Sequence, residues 1–228
     1  RYGHKYTAIG GTRDNYPQVV TSKYPITTLE KITGSDQSGK PVAHGAGLHS
    51  ITVSGRNLYI ATMHPWPQSY GYGVSSANQS TSTSNHEGDL YREFEMNYVV
   101  AQTKNASKYA SQKDWLFMGD FNSRSRLDKW FYDANGISTN TYTWLCQNVI
   151  LDNTDYKDII ALTYPDSFMS STSGNSRIDY MYASPSMFND VKNAMVVIDD
   201  WAAQYQSTYV TSFANPSDHR PILVDFKW

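Results

Sequence analysis

The chain has little cysteine, little charge and no long apolar run. A single cysteine, Cys146, stands among 228 residues, which excludes an intrachain disulfide and gives no zinc-ligand pattern. We therefore expect Cys146 to be a small buried hydrophobic side chain. No apolar segment approaches the roughly 20 residues that span a membrane. These absences leave a chain whose stability must come from an ordinary packed core.

Charge is scarce as well, since 18% of the residues are charged and the formal net charge is −2. That balance argues against a broad basic face and against strong electrostatic binding of DNA, although a cleft can be locally basic. Tyrosine is abundant, with 18 residues, and serine, threonine and asparagine are plentiful. This profile is typical of exported bacterial proteins and predicts a secreted or periplasmic location. The length suits one domain over residues 1–228, without repeat or linker, and we expect a monomer.

Alternating short apolar segments and one amphipathic stretch predict an α/β fold. Strands are predicted at 16–22, 26–33, 48–54, 57–63, 114–119, 177–183, 192–199 and 221–227. The clearest helix is predicted over 88–111, where Leu90, Phe94, Tyr98 and Ala101 recur at helical spacing. Shorter helices are predicted at 125–134, 141–148 and 155–161. The segment 65–86 reads as a long loop, for which shaping a substrate cleft and forming a surface insertion are equally good interpretations.

The segment Trp115–Ser123, WLFMGDFNS, is the most informative motif. An apolar run ends at a glycine, and Asp120 and Asn122 follow at alternate positions. Because side chains alternate along a strand, these two point the same way while Phe121 turns back into the core. A carboxylate and an amide oxygen at the carboxyl end of a strand suit a hard cation such as Mg²⁺. Without further motifs, a strand that ends in a polar turn is the better explanation of the pattern.

Two further motifs carry acids and a histidine. Arg177–Tyr182 is predicted to be a strand with Asp179 near its start, and Asp218 and His219 lie together in a loop just before the last strand. An imidazole next to a metal can serve as base, ligand or transition-state stabiliser, and a carboxylate such as Asp179 would fix its tautomer. Alone, Asp179 reads as a strand-end carboxylate and His219 as a loop cap. In this order, all at strand ends, they predict one site.

These motifs resemble a known family. Residues 119–122 (GDFN), 177–180 (RIDY) and 217–221 (SDHRP) are similar to the signature of the endonuclease/exonuclease/phosphatase superfamily, also called the deoxyribonuclease I-like fold. Residues 58–64 (LYIATMH) resemble the strand that ends in the first catalytic histidine of that family, here His64. The resemblance implies a four-layer α/β/β/α sandwich of two mostly antiparallel sheets flanked by helices.

The resemblance also implies a function and roles. The chain is expected to hydrolyse a phosphodiester or phosphomonoester by Mg²⁺-assisted attack of water, with Mn²⁺ and Ca²⁺ as alternative ions. Asp120 and Asn122 would hold the phosphate, the water or a second metal, and Asp218 would contribute to the principal metal site. His219 would act as general base or phosphate stabiliser, oriented by Asp179. His64 would contact the phosphate.

One departure from the family is serious, because its amino-terminal Asn and its metal-binding Glu find no match. The only glutamates are Glu30, Glu87, Glu93 and Glu95, and none stands in the expected place. We therefore expect either that the sequence lacks a first strand, a helix and a Glu-bearing strand, or that the chain is degenerate. A catalytically impaired binding module on the same fold is the alternative function.

The substrate is open between nucleic acid, a lipid headgroup such as a phosphoinositide, and a small phosphodiester. Arg124 and Arg126 follow the Asp120 motif and could bind phosphate, or could be solvated or pair with Asp128. Arg13 lies where the family often places a substrate-binding arginine. The aromatic residues nearest His64 in sequence could stack a base, a sugar or an inositol; they are Trp66, Tyr70 and Tyr72. The other histidines are expected to be surface or packing residues, namely His4, His44, His49 and His86.

Overall fold

The computed structural model of the protein describes residues 3–34, 39–172, 174–197 and 217–227. Its largest element is a six-stranded sheet in the order β3-β4-β5-β6-β8-β7, flanked by two two-stranded sheets, β1-β2 and β9-β10. Only β5 and β6 run parallel among these paired strands. The strands are β1 Tyr6–Ile9, β2 Val19–Ser22, β3 Ile26–Gly34, β4 Pro41–Val53, β5 Arg56–Met63, β6 Asp114–Asp120, β7 Lys157–Asp158, β8 Asp179–Ala183, β9 Val191–Val196 and β10 Ile222–Phe226.

Six α-helices connect these strands in the described ranges, and 3-10 turns lie at 76–78, 107–109, 126–128 and 142–144. None of these helices has the length and apolar character of a membrane span. The helices are α1 Gln79–Ser84, α2 Glu87–Gln102, α3 Lys129–Ala134, α4 Leu145–Asn153, α5 Ile159–Thr163 and α6 Pro185–Asn189.

The central sheet is covered on both faces, and strand alternation decides which side chain goes where. On β6, Trp115 and Phe117 join a core with residues of α2 and α4, including Met96 and Ile150. Leu116, between them, joins the other core, which β9 and β10 cover with side chains such as Ala194 and Val224. The sheet therefore lies between a helical layer and a smaller β layer, and the predicted fold class is confirmed.

Several predicted boundaries were wrong. The helix predicted over 88–111 ends at Gln102, after which a turn leads to 107–109. The helix predicted at 155–161 is split into strand β7 and the short helix α5. Segment 65–86 is not structureless, because it contains a 3-10 turn and helix α1. Strand β4 begins seven residues earlier than predicted (48 minus 41), and β1 was not predicted. Residues 198 and 199 of the predicted strand 192–199 lie outside the described residues.

The buried face of α2 also differs from the expected one. Leu90 is 43% exposed, whereas the buried positions include Met96 and Val99 together with two charged residues, Arg92 and Glu95. Apolar residues occur on both sides of this helix, so its periodicity predicts the helix correctly but not the face that packs on the sheet. The consequence is a pair of buried charges directly behind the predicted site.

Candidate active site

The site forms where β6 and β8 end side by side. Asp120 and Asp179 are directly opposite each other in the antiparallel ladder of these strands. Burial raises the pKa of both carboxyls, and the charge of Asp120 raises the pKa of Asp179 further. Like charges placed opposite each other destabilise a sheet. The pair is therefore a place where positive charge, from imidazolium or a cation, is favoured.

Gly119 allows β6 to approach β5 closely enough to complete the site. A Cβ atom at Gly119 would lie 1.9 Å from the carbonyl oxygen of Met63, so any other residue would push the strands apart. His64 follows Met63 directly. Its Nε2 atom lies 3.7 Å from Oδ2 of Asp120. The glycine of the motif thus brings His64, which follows β5, close to Asp120 at the end of β6.

Asn122 orients the Asp120 carboxylate. Its backbone is left-handed, with φ of 48°, a conformation that asparagine tolerates better than most residues. In this turn the Asn122 amide N–H donates to Asp120 Oδ1 at 2.8 Å, and the side-chain Nδ2 donates to the Pro65 carbonyl at 3.3 Å. One oxygen of Asp120 is therefore held by backbone, while Oδ2 faces the histidines.

His219 enters from the loop before β10. Its Nδ1 atom lies 2.8 Å from Asp179 Oδ2, and its Nε2 atom lies 3.9 Å from Asp120 Oδ2 and 4.0 Å from Asp218 Oδ1. Burial opposes protonation, but the charge and hydrogen bond of Asp179, followed by the charges of the other two carboxylates, outweigh it and raise the pKa of His219. The Asp179 partner also orients the ring, so that Nε2 points toward the cluster.

Ser171 supports this pair and was missed by sequence reasoning. Its hydroxyl is buried, donates to Asp179 Oδ2 at 2.8 Å and accepts the backbone N–H groups of Ile178 and Asp179 at 3.0 Å each. Its carbonyl accepts the N–H of Arg220 at 2.7 Å. Ser171 therefore ties the start of β8 to the His219 loop. The serine-rich segment around it gave no signal for this role.

His44 is a packing residue, as one of the two sequence-based alternatives had it, but its place beside the site was not predicted. It is 5% exposed, its Nδ1 pairs with Asp14, and its ring centroid lies 4.6 Å from that of His64. Gly45 next to it has a φ of 83°, so the alternation of β4 does not carry through to His44. Burial, and then the proximity of His44, lower the pKa of His64 to about 4. His64 is therefore neutral at pH 7.

Aromatic rings continue from the two histidines. Trp66 lies 6.3 Å from His44, and its ring meets those of Tyr70 and Tyr72 at 6.0 and 5.1 Å. The predicted aromatic cluster is thus present, and it borders His44, which packs on His64. Tyr16 adds a ring that the sequence did not indicate; it is 63% exposed, and its centroid lies 6.3 Å from that of His64.

The three arginines predicted to bind substrate have different surroundings. Arg126 donates to both carboxylate oxygens of Asp152, and not to Asp128 as the alternative interpretation suggested. Arg124 donates to Ser176 at 3.2 Å and covers the ring of Tyr132. Arg13 is exposed. A role in substrate binding stays a prediction for all three.

The acidic and imidazole groups offer a candidate metal site. Asp120, Asp179 and His219 each present one ligand atom, and these atoms lie within 4.8 Å of one another. Asp179 is engaged by His219 and Ser171. Asp120 and the exposed Asp218, whose oxygens lie 3.9 and 4.0 Å from His219 Nε2, are therefore the better carboxylates for a hard divalent cation. The donor set is compatible with such an ion.

Comparisons with known proteins identify the family of this chain and proteins of similar fold. The family model described as "Endonuclease/Exonuclease/phosphatase family" matches residues 1–219. No curated protein sequence matches the chain. Among solved structures, the fold is similar to an AP endonuclease from Archaeoglobus fulgidus, with a TM-score of 0.61 and 13% identity, covering 98% of this chain and 79% of the other.

Two structures of the Neisseria enzyme NExo are similar in fold to the same degree. The first, a 3' phosphatase bound to product DNA hairpin, has a TM-score of 0.60 and 14% identity, covering 98% of this chain and 79% of the other. The second, the 3'-5' exonuclease from Neisseria meningitidis, has a TM-score of 0.59 and 15% identity, covering 98% and 80%. Enzymes of the matched family depend on divalent metals. The chain belongs to the endonuclease/exonuclease/phosphatase family and is a hydrolase of phosphoester bonds.

Proposed function

We propose that this chain hydrolyses a phosphodiester or phosphomonoester with the His219–Asp179 pair as its acid–base group and Mg²⁺ as its ion. The observation that carries the proposal is that Nε2 of His64 and Nε2 of His219 both lie within 4 Å of the same oxygen, Asp120 Oδ2. Two imidazoles and a carboxylate around one point can hold a phosphate and move a proton at its edge.

The chain's own residues divide the work. With Nδ1 held by Asp179, His219 exposes Nε2, which as a free base takes a proton from an attacking water and when protonated donates to a non-bridging oxygen. His64 is neutral at pH 7, so it binds a phosphate oxygen as an N–H donor. It does not neutralise the negative charge of the phosphate, which other groups must balance. Asp120, fixed through Asn122, orients the water or the phosphate between the two rings.

A divalent ion would be held by Asp218, Asp120 and Asn122. It would neutralise the non-bridging oxygens and lower the pKa of a bound water. Mg²⁺ is the first choice because the donors are oxygens, and Mn²⁺ or Ca²⁺ are alternatives. With only two carboxylates in this set, we expect Mg²⁺ affinity in calorimetry to be weaker than micromolar. Micromolar binding would require a further ligand. Glu30 does not offer one, because its carboxylate is bound by Lys108 and Tyr109.

For the substrate we propose a polynucleotide in preference to a lipid headgroup or a small phosphodiester. The ring of Tyr16 stands beside His64, and that of Trp66 stands beside His44, which packs on His64; a base or sugar next to the scissile phosphate can stack on these rings. A structure with the same fold holds a DNA product. The proposal includes a single domain over residues 1–228 that acts as a monomer in a secreted or periplasmic location.

A panel of substrates tests the proposal. Single-stranded and nicked DNA, RNA, a 3'-phosphorylated hairpin, sphingomyelin vesicles, a phosphoinositide and bis-p-nitrophenyl phosphate are each assayed with Mg²⁺ and with EDTA. We expect EDTA-sensitive hydrolysis of a nucleic acid by the wild type, loss of it in His219→Ala, and retention in the control His86→Ala. Faster turnover of a lipid substrate would replace the nucleic-acid assignment. No turnover of any substrate, with binding retained, would favour the binding module.

A further inference from the structure

The strands that carry His44 and His64 separate near the site, and one side chain fills the gap. The ladder between β4 and β5 ends at the pair Ala46 and Met63. Three residues beyond that pair on each strand are Ala43 and Trp66. Their backbone N–H groups donate to the two carboxylate oxygens of Glu95, at 2.6 and 2.7 Å. Glu95 thus replaces the backbone bonds that the diverging strands lose.

A second charged residue of α2 holds the same segment from its carbonyl side. Nη1 of Arg92 donates to the carbonyl of Trp66 at 2.8 Å and to that of Gln68 at 2.9 Å, while Nη2 donates to Asp89 at 2.6 Å. Arg92 and Glu95 are three residues apart and therefore lie on one face of the helix. Trp66 is consequently fixed at both its N–H and its C=O by one helix.

Core stability does not explain these residues. Glu95 has no exposed surface and Arg92 is 6% exposed. Burial raises the pKa of Glu95 to about 7, in opposition to its two N–H bonds. Buried ionic groups are weak sources of stability, and apolar side chains of similar size often serve a core as well or better. What the pair provides is a fixed backbone for the segment that begins at His64.

We propose that Arg92 and Glu95 are positioning residues that hold His64, and with it Trp66, against Asp120. This inference rests on the proposed function for its effect on catalysis. The His64–Asp120 distance depends on where residues 64–66 lie, and His44, which packs on His64, follows Ala43, the other residue held by Glu95. Displacement of a reacting group by about 1 Å lowers rates by about 10²-fold. In Glu95→Gln an NH₂ group would replace one of the two accepting oxygens, so the hydrogen bond to either Ala43 or Trp66 would be lost.

Steady-state kinetics on the best substrate of the panel test the catalytic half. We expect Glu95→Gln and Arg92→Lys to lower kcat at least about tenfold with KM within about twofold. The matched control is Glu93→Gln, a partly exposed glutamate on the same helix, which should keep wild-type kcat. In a His64→Ala background, Glu95→Gln should change kcat less than about twofold, because its effect runs through His64. A folded Glu95→Gln enzyme with wild-type kcat, or an equal loss in both backgrounds, would overturn the proposal.

Amide exchange tests the structural half without any substrate. In NMR-detected exchange, the Ala43 and Trp66 amides of the wild type should be protected. Glu95→Gln should speed the exchange of at least one of them about tenfold or more, with β6 amides unchanged. Equal protection of these amides in the wild type and in Glu95→Gln would reject the proposal that Glu95 holds this segment. If the wild type hydrolyses no phosphoester, the proposed function fails, while the exchange result still decides whether Glu95 holds this segment.

Discussion

The segment that enters β8 contributes to two clusters of buried charge, Arg177 to one and Asp179 to the other. The two clusters are built in opposite ways. Arg177 is 1% exposed and donates to Asp128 through Nε at 2.8 Å and to both oxygens of Asp158 through Nη1 at 2.8 and 2.9 Å. Asp179 instead faces another carboxylate, Asp120, across the ladder. The first cluster is sealed and pairs a cation with anions, whereas the second is partly open and sets like charges together.

The difference separates structural from functional charge. The Arg177 cluster joins the 3-10 turn before α3, strand β7 and the start of β8, so its role is structural. In the described part of the Asp120 cluster, the cationic groups within 4 Å of Asp120 and Asp179 are imidazoles, which can lose their protons. Facing carboxylates repel each other unless a cation lies between them, so the cluster lowers the stability of the folded protein when no cation is bound. Such a loss of stability in exchange for activity is expected at an active site.

Breaking the sealed cluster should have the largest effect. Arg177→Met leaves two buried carboxylates without their cation, and we expect the free energy of unfolding to fall by about 3–5 kcal/mol. Urea denaturation followed by circular dichroism measures this. Arg126→Met, which removes the more exposed pair with Asp152, is the control and should change stability by less than about 1 kcal/mol. Equal effects would mean that the Arg177 cluster is not a structural centre.

Breaking the open cluster should lower turnover in variants that still fold. His219→Ala and Asp120→Ala should each lower metal-dependent turnover by at least about 10²-fold, the scale for loss of a positioned acid or base. The control is Asp133→Ala, which removes an exposed carboxylate paired with Lys129 on α3. A folded variant that keeps near-normal turnover would remove its residue from the mechanism.

Removing one of the two facing charges should stabilise the metal-free protein. In Asp120→Asn the like-charge pair with Asp179 disappears at nearly constant volume, and we expect unfolding in EDTA to require about 0.5–2 kcal/mol more. With Mg²⁺ in place of EDTA, the difference in stability between Asp120→Asn and the wild type should be smaller, because the ion neutralises the facing carboxylates of the wild type. A loss of stability in EDTA would show that Asp120 is already satisfied by its hydrogen bonds.

The smallest effect should be the pH dependence that His219 confers on the metal-free protein. Its pKa is raised in the folded state, so it adds stability that is fully present below the unfolded value of about 6.5 and is lost as pH rises through the folded pKa. The stability difference between wild type and His219→Gln in EDTA should therefore be greatest below about pH 6.5 and decrease above it. A difference that grows with pH would mean that the pKa is lowered instead.

Local sequence patterns were enough to predict the strands that end in the site and most of the residues at those ends. Period-two alternation, together with glycine, aspartate and histidine at strand termini, is a local signal. Asp120, Asp179 and His219 could therefore be predicted to lie together, as the structure has them, whereas His64 was predicted through the family resemblance. The catalytic roles of these residues stay predictions. The fold class followed from the same motifs, through their resemblance to a family whose model matches residues 1–219.

Contacts between distant parts of the chain set the remaining features. The facing of Asp120 and Asp179 depends on the register between two strand residues that are 59 positions apart in sequence (179 minus 120). The His44–His64 contact depends on the left-handed turn at Gly45. Nothing in the sequence signals that Arg92 and Glu95 on α2 are buried, because apolar residues occupy both sides of that helix. Strand register, helix rotation and burial all result from tertiary packing, and no local pattern encodes them.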